Sequence, residues 1–324
     1  MHEIELKFLI HTHQQTALAQ QLQNFGAKSQ PLSAYYFDTS ERLLAKNGIA
    51  LRIRFEQNQW VQTVKTQGDG IAKRLEINKI LPISATPAQI NLATLLPDLT
   101  LIEHEAIIAQ LEQIMPISEL NQKLSIQYFT DIERLSCVLV QGESQIELAY
   151  DVGVVGTGEL ATQQFAIHEI EFELLDGLPS DLVGLAKRFC QAYQLYFSTI
   201  TKAERGSLLL KQQTFPTAKT FVAIKTADFD KNDKIIFIKI QQSINFILQI
   251  LLPSVTAICL GDNAKQHQDN VRLCLENLQD IFHYFSQNPT NHLQSIHSIC
   301  LQDLVESQAF QLFILDLIDF AHLD

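Results

Sequence analysis

Several short segments of this chain place like charges two residues apart. His2-Glu3-Ile4-Glu5-Leu6-Lys7-Phe8 alternates Glu3, Glu5 and Lys7 with Ile4, Leu6 and Phe8. Leu51-Arg52-Ile53-Arg54 interleaves two guanidinium groups with aliphatic side chains, and Glu169-Ile170-Glu171-Phe172-Glu173 interleaves three carboxylates with apolar ones. Glu147 and Asp151 share a face with Ala149 between them, Arg74 and Glu76 share another, and Lys65 and Arg134 stand singly. Successive side chains of a strand point to opposite faces, so each spacing gathers charge on one side. One such strand is an ordinary solvated edge. Recurrence, with carboxylates on some strands and guanidinium groups on another, predicts an acidic wall and a basic wall inside one sheet structure. Burying such charges without partners costs several kcal/mol per ion, which ligands would relieve. Clustered carboxylates suit Mg²⁺ or Mn²⁺. Clustered Arg and Lys suit phosphate oxygens. A polyphosphate bridged by a divalent cation meets both demands. Phosphoryl transfer needs chiefly positioning and charge neutralisation, and a second cation could activate the attacking water.

The elements that must carry these faces follow from periodicity. Period-two patterns predict strands at Glu3–Ile10, Ala34–Asp38, Ala50–Glu56, Gln59–Thr66, Ala72–Leu81, Leu124–Leu139, Gln145–Val155 and Ala166–Leu175. Gln67-Gly68-Asp69-Gly70 reads as a hairpin turn between two of them. Without regular βα alternation, an antiparallel barrel fits better than a parallel sheet. Helical spacing marks Thr12–Phe25, His104–Met115 and Asp181–Tyr193. After the polar stretch Gln212 to Lys219 the pattern is helical: Lys234–Leu252, Ala264–Phe285, Asn291–Val305 and Gln308–His322. Val271, Leu275, Leu278, Phe282 and Phe285 share one face there. The expected class is α+β: an eight-stranded antiparallel β-barrel with peripheral helices over 1–212, followed by a small all-α bundle over 218–324.

Bulk properties narrow the function. The 324 residues carry a net charge of −12, which argues against a nucleic-acid binder but leaves room for a local basic pocket. Cys137, Cys190, Cys259, Cys274 and Cys300 are scattered and odd in number, as expected for thiols in a reducing compartment. No apolar leader precedes the first predicted strand, so a cytoplasmic location is expected. The apolar run Ile244 to Leu260 contains Asn245, Gln249 and Pro253 and reads as part of a buried helix pair rather than a membrane span. His267, His283, His292, His297 and His322 are dispersed and read as surface or packed residues. His168-Glu169 lacks a second His four residues on, and there is no P-loop, GxGxxG or GxSxG sequence.

Glu3-Ile-Glu5-Leu-Lys7 resembles the ExExK signature of CYTH domains, the triphosphate tunnel metalloenzymes. Tyr36-Phe-Asp-Thr39, Leu51-Arg-Ile-Arg54, the Lys65 strand, Arg74-Leu-Glu76, Thr130-Asp-Ile-Glu-Arg134, Ile146-Glu-Leu-Ala-Tyr-Asp151, Glu169-Ile-Glu-Phe-Glu173 and Thr201-Lys-Ala-Glu-Arg-Gly206 follow in that family's order. The chain is most similar to bacterial inorganic triphosphatases in which a CHAD domain follows the tunnel. The resemblance implies an eight-stranded tunnel that hydrolyses inorganic triphosphate to diphosphate and phosphate with Mg²⁺ or Mn²⁺. It implies metal ligation by Glu3, Glu5, Asp151, Glu169 and Glu171, and triphosphate binding by Lys7, Arg52, Arg54, Lys65, Arg134 and Lys202. Glu3, Glu5, Lys7 and Glu171 form the expected catalytic core. Glu76, Glu147, Glu173 and Arg74 would either join these ligands, Glu76 and Glu147 at the metal and Arg74 at the substrate, or support neighbours through salt bridges. The same tunnel in a class IV adenylyl cyclase, or in a nucleoside or thiamine triphosphatase, is the rival enzyme; a polyphosphate sensor without turnover is the rival binder. The C-terminal half departs from the CHAD pattern, with Arg272 as its one good basic match. Residues 218–324 hold seven Lys/Arg against twelve Asp/Glu, so a packing or interaction role is expected there.

Overall fold

The computed structural model describes residues 2–66, 73–158, 163–230, 233–285 and 300–322. Its strands are β1 (His2–Ile10), β2 (Lys28–Asp38), β3 (Ile49–Glu56), β4 (Gln59–Thr66), β5 (Lys73–Ile80), β6 (Ser125–Gln141), β7 (Ser144–Thr157), β8 (Gln163–Asp176) and β9 (Leu195–Phe197). Its helices are α1 (Gln15–Asn24), α2 (Leu43–Lys46), α3 (Glu105–Ile114), α4 (Ile117–Lys123), α5 (Pro179–Ala192), α6 (Lys202–Leu210), α7 (Ile236–Cys259), α8 (Lys265–Phe285), α9 (Leu301–Val305) and α10 (Gln308–His322). The hairpin-turn reading at Gln67 to Gly70 lies outside the described residues.

All strand pairings are antiparallel, in the order β5-β4-β3-β2-β6-β7-β8-β1-β9. A short pairing of β1 with β5, His2 opposite Leu75 and Glu3 opposite Arg74, links the ends of an eight-membered ring. The expected antiparallel tunnel is therefore present, and β9 adds a ninth strand on the β1 edge, Phe8 opposite Phe197. Three residues of β9 are too few for a period-two signal, which is why the sequence pattern missed it. The ring places β3 and β4 four strands from β8 and β7, so these pairs face one another across the interior.

Alternation explains the faces. Leu6, Phe8, Leu148, Ile170 and Phe172 turn outward from the tunnel and are buried under helices. Phe8 meets Phe172 and Phe197 edge-on with centroids 5.5 Å apart. The same apolar core continues through Leu185 and Phe189 of α5 into Ile247, Leu251 and Val255 of α7, Val271, Leu275 and Leu278 of α8, and Ile314 and Leu315 of α10. A second core lies under α3 and α4, around Ile53, Trp60, Leu99, Ile107 and Leu120.

The structure corrects one helix end. The expected stop at Leu252 is absent: α7 runs through Pro253 to Cys259. Losing one backbone hydrogen bond there is outweighed by burial of Ile250, Leu251, Leu252 and Val255. Among the described helices α7 alone is long and apolar enough to cross a membrane, but 61% of that window is buried inside the molecule.

Candidate active site

Register converts sequence spacing into a charged interior. On the acidic side, Arg134 of β6 lies opposite Asp151 of β7, and Asp151 opposite Glu169 of β8. Glu171 stands opposite Lys7 of β1, and Glu173 opposite both Glu147 and Glu5. On the facing side, Arg52 and Arg54 come from β3 and Lys65 from β4, with Glu76 of β5 opposite Lys65. These groups, Glu169 excepted, line one cavity of about 1310 Å³.

Lys202 occupies the centre of the acidic wall. Its Nζ lies 2.7 Å from Asp151, 2.6 Å from Glu169 and 2.7 Å from Glu171. The helix that carries it begins with Thr201, whose Oγ1 accepts from Glu204 N at 3.0 Å. A lysine opposes the macrodipole at a helix N-terminus, and the three carboxylates offset that cost. Helix α6 comes close because Gly206 has no side chain: a Cβ there would sit 2.2 Å from the Tyr128 ring. Burial pulls the Lys202 ammonium down, yet Glu169, Glu171 and Asp151 hold it well above the usual range. Glu171 shows the mirror effect. Burial pushes it up, but Lys202, Lys7 and Arg134 hold it well below the ordinary carboxylate range. Lys7 Nζ lies 3.1 Å from Glu171 and 3.3 Å from Glu5. Arg134 grips Asp151 with two bonds of 2.7 Å and reaches Glu171 at 2.7 Å.

The neighbouring row is unbalanced. Among the described residues neither Glu147 nor Glu173 makes a salt bridge. Burial, with Glu5 first among the charges and Glu147 and Glu76 behind it, pushes Glu173 up to about 7, against the pull of Lys65. On the basic wall, burial and the nearby Arg52 and Arg134 pull Arg54 down to about 10, still protonated at neutral pH. The Nε atoms of both Arg52 and Arg54 are buried and find no hydrogen-bond partner among the described residues. Lys65 and Glu76 pair at 2.6 Å.

The predicted site residues thus fall as follows. Glu5, Lys7, Arg134, Asp151, Glu169, Glu171 and Lys202 form one cluster, and Arg52, Arg54, Lys65 and Glu76 form the facing one. Glu147 sits beside Glu173. The side chains of Glu3 and Arg74 lie outside the described residues, though their backbones pair in the seam that joins β1 to β5. Glu169 is fully buried behind Lys202, where Arg205 Nη2 also reaches it at 3.4 Å. Arg205 carried no sequence signal beyond its place in Thr201-Lys-Ala-Glu-Arg-Gly206, and Arg42, which lines the cavity from α2, carried none.

The donor set fits a divalent cation. Asp151, Glu169 and Glu171 offer carboxylate oxygens within 4.8 Å of one another and already surround a cationic nitrogen. Burial, and after it repulsion from Glu5, raise Glu173, and a further cation would favour its ionised form.

The CYTH domain model matches residues 1–207. An inorganic triphosphatase of Haemophilus influenzae is 33% identical over 220 residues, which cover 66% of this chain and 56% of that protein; the chain thus spans little more than half the length of this relative. Among solved structures, a candidate adenylyl cyclase from Hippeastrum, described with a dominant triphosphatase activity, matches at 21% identity and a TM-score of 0.47. It covers 66% of this chain and 98% of its own. The PH1819 protein of Pyrococcus horikoshii matches at 16% identity and a TM-score of 0.37, covering 65% and 99%.

Proposed function

The chain belongs to the CYTH domain family, and on that premise we propose that its tunnel hydrolyses inorganic triphosphate to diphosphate and phosphate with Mg²⁺ or Mn²⁺. One observation carries the reading. Two guanidinium groups, Arg52 with Glu76 at 3.9 Å and Arg54 paired with Glu56, stand with Lys65 along a cavity whose facing wall carries the carboxylates. Clustered guanidinium and ammonium groups that line a cavity suit phosphate oxygens. The named inorganic triphosphatase relative supports this substrate over a nucleotide.

In this proposal Arg52, Arg54 and Lys65 hold the phosphates from one side, and Lys7, Arg134 and Lys202 neutralise charge from the other. Glu5, Glu147, Asp151, Glu171 and Glu173 hold the cation, with Glu3 beside them on β1. When bound, the ion supplies Lewis-acid polarisation of the phosphoryl oxygens. Glu169 and Arg205 fix Lys202 from behind. Glu76 keeps Lys65 extended into the tunnel. The described helices α7, α8 and α10 serve as a packing unit on the apolar outer face of the barrel.

The test is release of phosphate from tripolyphosphate, ATP and thiamine triphosphate by the purified full chain with each cation. Preference for tripolyphosphate with diphosphate as co-product is expected. Cyclic AMP from ATP, or preference for a nucleotide, would overturn the substrate assignment.

A further inference from the structure

Strand β6 outruns the neighbour that covers its edge. The register of β2 on β6 ends with Lys28 opposite Ser136, while β6 continues to Gln141 and turns through Gly142 and Glu143 into β7. Residues 137–141 are therefore paired on one side only. A two-residue hairpin makes Gln141 and Ser144 a hydrogen-bonded pair, and bonded pairs recur at every second residue from there: Leu139 with Ile146, Cys137 with Leu148. The N–H and C=O groups of Val138 and Val140 consequently point away from β7. Among the described residues no turn, loop or cap bonds them.

The side chains match that open edge. Cys137 and Leu139 pack on the outer core, but Val138 and Val140, on the other face, are 50% and 73% exposed. No large apolar side chain among the described residues is more exposed than Val140. A bare apolar edge is a template for a further strand, and proteins cover such an edge or blunt it with charge or proline. The sequence Cys137-Val138-Leu139-Val140-Gln141 contains neither.

The edge is complementary to itself. Turned about a two-fold axis at Leu139, it sets Val138 opposite Val140 of a second copy, and Val140 opposite Val138 of that copy. Each opposed pair exchanges main-chain hydrogen bonds in both directions, and the valines of both copies meet on one face. A slip of one residue would oppose Val138 to Leu139, whose backbone groups are spent on β7, so the register is specified. In this register the turn of each copy arrives at the start of β2 in the other. Lys28 and Glu143, both exposed, then meet with opposite charge on both sides of the axis. An unrelated strand would find the open backbone but not this pairing of charges.

We propose that residues 137–141 form a homodimer seam, in which the β6 edges of two copies of this chain pair antiparallel about Leu139. The seam borders the Glu147 end of the tunnel, since Val138 stands opposite Glu147 on β7. It does not depend on the chemistry inside the tunnel.

The experiment is sedimentation equilibrium of the full chain over a concentration series reaching about 100 μM, suited to an interface of modest area. Wild type is expected to dimerise. Lys28→Glu and Glu143→Lys should each weaken the dimer on the order of tenfold, and Lys28→Glu/Glu143→Lys should restore it. Val138→Lys/Val140→Lys, at exposed positions, should abolish it. Urea midpoints of all variants show separately whether each one folds. A monomeric wild type overturns the seam. So does a dimer that survives Val138→Lys/Val140→Lys, or a charge reversal that the double variant does not rescue.

Discussion

Thr256 Oγ1, in the last turn of α7, accepts a hydrogen bond from the backbone N–H of Thr199 at 3.1 Å. Its hydroxyl donates to the Leu252 carbonyl at 2.9 Å, so the acceptor is held in place. Two residues earlier, Gln311 Oε1 of α10 accepts from Phe197 N at 2.8 Å. These buried contacts pin β9 and the residues after it, which lead through Thr201 into Lys202. The outer helices are thus tied to the group at the centre of the acidic wall.

Replacing Thr256 with Val leaves the Thr199 N–H buried without its acceptor, at a cost of about 1–3 kcal/mol. Turnover of tripolyphosphate is expected to fall about tenfold with KM little changed, because Lys202 loses its fixed approach. Thr256→Ser should restore it. Unchanged turnover in the Val variant would show that the tie does not position Lys202.

Lys202→Met leaves Asp151, Glu169 and Glu171 sharing a buried site with one counter-charge fewer. Removing one partner from such a cluster costs about 3–5 kcal/mol. Urea unfolding should show that loss in chelator and a narrowed gap in excess Mg²⁺, since a cation can take the vacated place. Equal stability without divalent ions would contradict the charge arrangement.

Glu173 gives a pH signature. Its folded value near 7 lies above the ordinary 4.5, so the folded state binds more protons between these values. Stability should then fall as pH rises from about 4.5 through 7, and the lost part stays lost above that window. Glu173→Gln removes the penalty. The variant should gain on wild type across the window and hold its lead at pH 8, as read from urea midpoints. Parallel curves for the two proteins would contradict this.

Much of this arrangement is legible in the sequence because a strand has a period of two. Glu169, Glu171 and Glu173 declare one face without any knowledge of their neighbours, and the eight strands of the tunnel follow from such patterns. What crosses between strands is not legible. That Glu173 faces both Glu5 and Glu147, while Glu171 faces Lys7, depends on register set by turns and by packing of Phe8 on Phe172. Arg42 was hidden because its backbone conformation and its contact with Ser207, 165 residues away, leave no local pattern. The helix through Pro253 was hidden because burial of its neighbours outweighs a strong local breaker.

The measurement that bears most directly on the account is phosphate release from tripolyphosphate by the full chain with Mg²⁺ or Mn²⁺, beside Glu171→Gln matched for folded stability. Wild type should release phosphate, and the variant should lose about 10²–10³-fold in turnover. No release by wild type with either ion, or undiminished release by the variant, would contradict a triphosphatase built on this acidic wall.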